Sequence, residues 1–460
     1  MPRIFAPRSV VASLVIVVAL VATACTNAGD GTSSSSPSGT TQTTITDQTT
    51  TVAPLTSLPL TAIPGSNSPS IPDDVAASMR EEIGVLILDT EESRGLPFLA
   101  VPTVTILDKD EFTARLNANL EENLDAEGLV ADEAMLKLLG MLDADVDLRP
   151  LLVDLYTEQV FGFYDPKAKE LVVQVSVDGI TPLQEIAIVH ELVHALTNQH
   201  FDYFDEYKRR IDEGTGDDAS GLLALFEGDA TYQQFLFLQS LGPAEAAQAA
   251  IEISAIDTSI LDLAPEWMRR DLAFPYEQGF TFLGQIVTVG GLKGVDEAYQ
   301  DPPISSEQIL DPNKYFRKEQ PGDLEPLTVT LDGWDLVDEA TFGEWGIRLL
   351  LTDTLLPGEL TQAAAGWGND TYSLFTRGDD TSIAWEYLGE SEQDAEDLAN
   401  GLIAHARGAM EAGDPQESGG GLLFDGSDPY VFIDRVDKRI FFVASTDPAA
   451  GASLRDQLGL

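Results

Sequence analysis

The feature that most constrains the fold of this chain is the pentapeptide His-Glu-Leu-Val-His at residues 190–194, which lies in a strongly apolar run. The chain has four histidines, and two of them are in this segment. On an α-helix, residues i and i+4 lie on one face, so His190 and His194 can reach the same ion. Residues 181–184 (Thr-Pro-Leu-Gln) have the pattern of a helix start with a capping box. We therefore predict a buried helix from Pro182 whose polar side chains are satisfied by a metal ion.

Glu227 is the first candidate for a third metal ligand. It lies in a second apolar helical stretch at residues 222–232, and no lysine or arginine occurs between Ile211 and Met268. A carboxylate in an apolar helix without a nearby cation is costly unless a metal ion neutralises it. Gly228 would also allow another backbone to approach closely. We expect Glu227 to complete the ligand set.

His200 is the alternative third ligand. Its spacing from His190 and His194 matches the metzincin pattern, but that pattern has glycine where this chain has Thr197. If the helix continues, His200 lies about 15 Å along its axis from His190 and cannot bind the same ion. A left-handed turn at Asn198 would be needed to bring it back. We expect His200 at a helix end or on the surface, and the fourth histidine, His405, to be structural.

Two imidazoles, a carboxylate and an adjacent glutamate are typical of zinc hydrolases. Glu191 lies beside the imidazole pair on the helix and is predicted to be the general base that takes a proton from a water on the ion. A further donor is expected to stabilise the oxyanion, and Tyr276 and Tyr232 are candidates. The predicted cofactor is Zn²⁺ and the predicted substrate is a peptide or protein.

Together with Phe226-Glu-Gly-Asp-Ala230, the HELVH segment resembles the gluzincin metallopeptidases, the superfamily of thermolysin and aminopeptidase N. The aminopeptidase string that carries the third ligand is Asn-Glu-Gly-x-Ala, so Phe226 replaces its asparagine. More closely, the chain resembles a group of uncharacterised bacterial secreted proteins over residues 155–370. The shared segments are Gly-Phe-Tyr-Asp-Pro (162–166), Glu-Gly-Asp-Ala (227–230), Phe-Pro-Tyr-Glu-Gln-Gly (274–279) and Pro-Pro-x-Ser-x-Glu-Gln-Ile-Leu (302–310). The resemblance implies zinc-dependent peptide-bond hydrolysis with His190, His194 and Glu227 as ligands.

The chain departs from these families in two places. Thermolysin-like enzymes have an aspartate, four residues after the ligand glutamate, that orients a ligand histidine, whereas this chain has Thr231. The Gly-x-Met-Glu-Asn strand that binds the substrate amine in aminopeptidases has no match upstream of the metal helix. A similar string at residues 408–412 lies far downstream in a helical pattern, and we interpret it as a coincidence. We therefore expect an endopeptidase whose orienting group is not evident from sequence.

The N-terminus has the pattern of an export signal. Arg3 and Arg8 precede an apolar run at residues 10–24 that is too short for a membrane span. The run ends at Cys25, the only cysteine, in a string that resembles a bacterial lipobox with Ala22 where leucine is usual. We predict a lipoprotein signal peptide at residues 1–25, lipid on Cys25, and a domain on the extracytoplasmic side of the cell membrane. The lipid is the only predicted membrane contact.

Composition limits the partners of the rest of the chain. Residues 26–70 are rich in Ser and Thr, with two acids and no base, and are predicted to form a disordered tether. The formal net charge of the chain is −51. Because phosphate binding requires basic residues, nucleic acid is excluded as a partner. Close docking on anionic lipid is disfavoured.

The pattern beyond the tether predicts an α+β fold. We expect a gluzincin-like core at residues 71–370, with a mixed sheet, the metal helix, the Glu227 helix and a helical lobe, followed by a small C-terminal α/β module at residues 371–460. The resemblance implies that the strand just before the metal helix, 171–176, is an edge strand that pairs with substrate backbone. Predicted helices cover 73–90, a segment from 109, 133–142, 151–158, 245–256, 276–289, 342–354 and 392–412; predicted strands cover 103–107, 160–164, 171–176, 371–376, 382–388, 430–436 and 439–444.

A second function from another class is a non-catalytic zinc-binding lipoprotein that acts as a binding or scaffolding module. The glutamate at position 191 argues against it, because zinc binding alone needs no general base.

Overall fold

The computed structural model describes residues 63–213, 215–424 and 429–460, which form a mixed α/β structure with two sheets. The predicted signal peptide, Cys25 and residues 26–62 of the predicted tether lie outside the described residues, so these remain predictions. The end of the predicted tether, residues 63–70, is ordered instead, because its backbone hydrogen-bonds to the strand at residues 103–107 and Asn67 bridges Ile106. No helix in the described part of the chain combines the length and apolarity needed to cross a membrane.

The smaller sheet has three strands in the order β1-β3-β2. β1 (Thr103–Leu107) is parallel to β3 (Glu170–Gln174), and β2 (Gly162–Asp165) is antiparallel to it, so the sheet is mixed as expected. The expectation that the strand before the metal helix lies at an edge is wrong. β3 is central because it pairs with β1 on one side and β2 on the other, and its residues 171–173 are buried, which is typical of an internal strand. The edge strand is β2.

The larger sheet has seven antiparallel strands in the order β4-β5-β6-β10-β9-β8-β7. It begins at Asp335, upstream of the module boundary predicted at residue 371, and the division of the chain into domains stays a prediction. The strands are β4 (Asp335–Ala340), β5 (Trp367–Arg377), β6 (Asp380–Gly389), β7 (Pro415–Ser418), β8 (Gly421–Phe424), β9 (Tyr430–Val436) and β10 (Arg439–Ser445).

Sixteen helices connect and cover the two sheets within the described residues. Their bounds are α1 (Asp73–Arg94), α2 (Lys109–Asn123), α3 (Ala126–Leu138), α4 (Leu148–Gln159), α5 (Pro182–Phe201), α6 (Tyr203–Glu213), α7 (Asp217–Ser240), α8 (Pro243–Ser254), α9 (Ser259–Leu263), α10 (Glu266–Gln300), α11 (Ser306–Leu310), α12 (Pro312–Phe316), α13 (Gly343–Leu350), α14 (Pro357–Ala364), α15 (Glu392–Gly408) and α16 (Pro448–Gln457).

Helix α5 is the predicted metal helix, and its start is the one that the sequence predicts. The Thr181 hydroxyl accepts a hydrogen bond from the Gln184 N–H, and the Gln184 side chain accepts one from the Thr181 N–H. Pro182 occupies the first turn, where its missing N–H costs nothing. The helix is buried at Leu183 and at every position from 186 to 197, so its polar side chains in this region depend on protein partners rather than on solvent.

Helix α7 carries Glu227 and crosses α10 at two glycines from the shared segments. A Cβ atom on Gly228 would lie 2.4 Å from the backbone of Gly279, and one on Gly279 would lie 2.2 Å from the Ala224 carbonyl oxygen. Only glycine allows two helix backbones to approach this closely. The contact places the N-terminal half of α10, with Tyr276, beside the Glu227 helix.

We expect Gly279→Ala to lower the free energy of unfolding by about 1–3 kcal/mol or more, because the new methyl group meets backbone atoms that cannot rotate away. Gly284→Ala on the same helix is the matched control. A Cβ there meets no atom within 4 Å, so the better helix propensity of alanine should stabilise the protein by up to about 1 kcal/mol. Urea unfolding of both variants measures the difference. Equal effects of the two substitutions would contradict this packing.

Candidate metal centre

Three predicted ligands converge in the interior of the protein. The side chains of His190 and His194 are fully buried and that of Glu227 is 1% exposed. The two Nε2 atoms lie 3.0 Å apart, and Glu227 Oε2 lies 3.1 Å from His190 Nε2 and 3.3 Å from His194 Nε2. Among the described residues, this is the one group of three His, Cys, Asp or Glu side chains close enough to share an ion. The group could therefore bind a metal ion.

The protonation pattern of the group favours a cation at its centre. Gln234 Oε1 lies 2.9 Å from His190 Nδ1 and accepts its hydrogen, which leaves a lone pair on Nε2. That lone pair faces the Glu227 carboxylate, whose other oxygen, Oε1, is buried without a hydrogen-bond partner. Electron-rich atoms directed at one another in a buried interior are unfavourable unless a metal ion or a proton lies among them. Two imidazole nitrogens and one carboxylate are a donor set that suits zinc.

The local electrostatics favour the metal-binding forms of His190 and Glu227. Burial lowers the pKa of His190 and so favours the neutral ring. Burial alone would raise the pKa of Glu227, but His194 and His190 together bring it below its ordinary value. Metal ions bind neutral imidazole and ionised carboxylate. Both shifts therefore favour the binding-competent state.

Glu191 follows His190 on α5, about 100° around the helix axis from it, and is fully buried. Its Oε2 accepts a 2.7 Å hydrogen bond from the backbone N–H of Tyr164 in the edge strand β2, while its Oε1 has no hydrogen-bond partner. Burial raises the pKa of Glu191 well above its usual range, and the charge of Glu227 adds to this effect. A carboxyl group with a raised pKa can accept a proton and hold it through a reaction.

The structure does not bring His200 into the metal group. Helix α5 continues past Thr197 to Phe201, so the sharp turn that the metzincin spacing requires is absent at that point. The His200 Nε2 atom instead forms a 2.7 Å hydrogen bond with the Pro97 carbonyl. The chain turns later, at Asp202, which has a positive φ of 49°. The predicted preference for Glu227 over His200 agrees with this geometry, while its role as a metal ligand stays a prediction.

Two residues that contact the ligand histidines are not among the site residues predicted from the sequence. Gln234 binds His190, as described above, and the Tyr203 hydroxyl forms a 3.1 Å hydrogen bond with His194 Nδ1. Gln234 lies seven residues after Glu227, two helical turns along the same face, so helical periodicity could have identified it. Tyr203 follows the left-handed Asp202, and no sequence pattern predicts the direction of that turn.

The two tyrosines predicted as oxyanion donors occupy different places. The ring centroid of Tyr276 lies 6.1 Å from that of His190, so this tyrosine is beside the metal group. Tyr232 packs its ring against Phe280 at a centroid distance of 5.8 Å. Tyr276 is therefore the better placed of the two.

His405 lies in the C-terminal part of the molecule. It is buried, with Nε2 2.8 Å from the Leu139 carbonyl and Nδ1 2.9 Å from the Thr354 hydroxyl. Because both ring nitrogens have protein partners, the predicted structural role of His405 fits its surroundings.

Comparison with known proteins adds little about the metal group. A family model described as Domain of unknown function (DUF8575) matches residues 330–454, which include the seven-stranded sheet and exclude the metal group. A crystal structure from Chloroflexus aurantiacus, provisionally described as a hydrolase with a novel fold, matches with 18% identity and a TM-score of 0.34. The match covers 55% of this chain and 94% of that one. No curated protein matches the chain. Membership of the gluzincins therefore stays a prediction.

Proposed function

We propose that the protein is a zinc-dependent endopeptidase that acts outside the cell membrane. The observation that carries this proposal is the buried convergence of His190, His194 and Glu227, with Glu191 buried next to His190 on the same helix. A zinc ion held there would polarise the scissile carbonyl and lower the pKa of an attacking water molecule. A site that only binds zinc would not need Glu191.

The side chains of the site have separate roles in this proposal. The Nε2 atoms of the two histidines and the Glu227 carboxylate hold the metal. Glu191 takes a proton from the attacking water and delivers it to the leaving amine, and its raised pKa suits it to carry the proton between the two steps. Tyr276 is the candidate for the donor that stabilises the oxyanion, because its ring lies beside His190.

The edge strand β2 is the proposed guide for the substrate backbone. The backbone N–H and C=O groups of Phe161 and Phe163 point toward β3. The Phe161 carbonyl accepts a hydrogen bond from the Gln174 N–H, and the backbone groups of alternate residues in an antiparallel strand point the same way. Gly162 and Tyr164 therefore direct their backbone groups to the open side, where the Tyr164 N–H meets Glu191. A peptide that pairs with this side would lie next to the metal group.

A substrate can reach the buried site only if a covering segment moves, and we propose that this segment is α8. The α5 residues Leu183 and Ala187 lie on the face of the metal ligands, one and two turns before them. They are covered by Phe161 and by Ile253 and Ile256 near the end of α8. Helix α8 has one fully buried residue, so few apolar contacts hold it. Amide hydrogens of α8 should exchange with solvent faster than those of α5; equal protection would exclude this route.

The proposed function is tested with residues 26–460 purified with one equivalent of zinc. We expect the protein to cleave casein, to lose this activity with a zinc chelator such as 1,10-phenanthroline, and to regain it when zinc is restored. Protein that binds zinc but cleaves neither casein nor a peptide library would favour the scaffolding alternative. Protein that binds no zinc would contradict both functions.

The proposed location depends on Cys25 at the end of the apolar N-terminal run. In bacterial cells, Cys25→Ser should move the protein from the membrane fraction to the soluble extracytoplasmic fraction, because the lipid is the proposed anchor. An unchanged distribution would rule out this anchor.

A further inference from the structure

Each ligand histidine has a hydrogen bond on the ring nitrogen that faces away from the metal group. His190 Nδ1 bonds to the side chain of Gln234, and His194 Nδ1 bonds to the hydroxyl of Tyr203. Both partners are buried, at 7% and 3% exposure, so water does not compete strongly for these bonds. In metal sites, the partner on the second nitrogen fixes the tautomer and the orientation of the imidazole.

Gln234 is held in place by the helix that also supplies the carboxylate. It lies two turns after Glu227 on α7, so one rigid element fixes both the acidic ligand and the partner of His190. Because Gln234 Oε1 can only accept, the hydrogen of His190 is on Nδ1 and its Nε2 is free to bind a cation.

Tyr203 is delivered by the turn that ends the metal helix. After Asp202, the chain reverses and places the Tyr203 ring on that of Phe226, with 4.5 Å between centroids and 26° between planes. The Phe226 ring in turn lies edge-on against His194, at 5.8 Å. A tyrosine hydroxyl is neutral near pH 7, since its ordinary pKa is about 10. The aromatic stack and the turn together fix the hydroxyl against His194.

We propose that Gln234 and Tyr203 are positioning residues. Gln234 sets the tautomer of His190, both residues fix the orientation of the ligand imidazoles, and this neutral pair replaces the usual carboxylate partner. The inference rests on the proposed metal site. Because neither partner is charged, Glu227 is the only anion among the three ligands and their two hydrogen-bond partners. Less of the cation's positive charge is therefore neutralised than at a site where a carboxylate is bonded to one of the histidines. The same neutrality predicts that a carboxylate at position 234 would strengthen metal binding.

The test measures zinc affinity by competition with a chromophoric chelator at fixed pH. We expect Gln234→Met and Tyr203→Phe to weaken zinc binding by about 10–100-fold each, and Gln234→Glu to bind zinc at least as tightly as the wild type. The matched controls are Gln233→Met and Tyr207→Phe. Gln233 is a buried amide that accepts from Ser93, and the Tyr207 ring packs edge-on against Phe226 at 5.5 Å. Both controls should keep wild-type zinc affinity.

A second readout needs neither activity nor metal. In the zinc-free wild type, ¹⁵N chemical shifts of the histidine rings should identify His190 as the Nδ1–H tautomer, and Gln234→Met should relax this preference. Thermal unfolding of each zinc-free variant separates loss of positioning from loss of folding. An Nε2–H tautomer of His190 in the wild type would overturn the inference, as would wild-type zinc affinity in folded Gln234→Met and Tyr203→Phe. Wild-type protein that binds no zinc would instead overturn the proposed function.

Discussion

Replacing Glu191 with glutamine should lower kcat/KM for peptide cleavage by about 10²–10⁴-fold, the range that a general acid–base residue contributes. The amide has the same shape as the carboxyl group, and its oxygen can still accept the hydrogen bond from the Tyr164 N–H. It cannot take a proton from the attacking water, so the chemical step slows while the three metal ligands stay unchanged. The loss should therefore appear in kcat.

Glu185→Gln is the matched control for this substitution. Glu185 is on the same helix, and its neighbours are the carboxylates of Glu82, Glu245 and Glu252 rather than the metal group. We expect the control to retain activity within a few-fold. A Glu191→Gln protein that binds zinc and cleaves as fast as the wild type would show that another residue is the base.

The Arg94→Met substitution should cost about 3–5 kcal/mol of folding free energy, the range measured when one partner of a buried ion pair is removed. Arg94 is fully buried at the end of α1, with Nε 2.8 Å from Asp229 in α7 and one terminal nitrogen 2.8 Å from Asp296 in α10. Burial lowers the pKa of Arg94, but the two aspartates and Tyr299 more than offset this and raise it, so the guanidinium stays charged. Its removal leaves Asp229 as a buried anion without its cation.

Two further variants separate this electrostatic effect from lost packing. Arg94→Met combined with Asp229→Asn should recover part of the stability, because the double variant no longer has the orphaned charge. Arg209→Met is the surface control, since Arg209 is half-exposed and pairs with Glu206; it should cost at most about 1 kcal/mol. Urea unfolding measures all of these variants. A loss for Arg94→Met no greater than that of the surface control would contradict the assigned role of the buried pair.

Helical periodicity predicted the parts of the site that lie within single helices. The capping box at Thr181, the run of apolar residues after it and the i, i+4 spacing of the histidines place His190 and His194 on one face of a buried helix, with Glu191 next to His190, and the structure has this helix. Glu227 followed from a different argument, the cost of burying an acid far from any cation in sequence. Both arguments depend on local patterns or on charge, which a sequence states directly.

Features that depend on tertiary packing were predicted less well. The central position of β3 is decided by its pairing with β1, more than sixty residues upstream, rather than by its place before α5. Strand β4 was missed because three of its six residues are acidic, and its register with β5 is irregular. Tyr203 reaches His194 only because Asp202 adopts a left-handed conformation, which its residue type allows but does not require.

The structure gives a physical role to each of the four sequence segments that this chain shares with the bacterial secreted proteins. Tyr164 in the first segment donates to Glu191, and Asp229 in the second pairs with Arg94. Gly279 in the third allows α10 to contact α7. The fourth segment packs on α7, where a Cβ on Gly221 would lie 3.1 Å from the Ser305 carbonyl oxygen. All four segments therefore support the helix and strand that surround the metal group.

Zinc binding by three proteins tests the central claim most directly: the wild type, Glu227→Gln and His200→Gln, each purified without metal and titrated with zinc. We expect one zinc ion per chain in the wild type, a loss of affinity of at least 100-fold in Glu227→Gln, and wild-type binding in His200→Gln. The reason is that Glu227 Oε2 lies within 3.3 Å of both imidazole Nε2 atoms, whereas His200 is bonded to the Pro97 carbonyl. Stoichiometric zinc binding in Glu227→Gln with wild-type affinity, or its loss in His200→Gln, would contradict this metal centre.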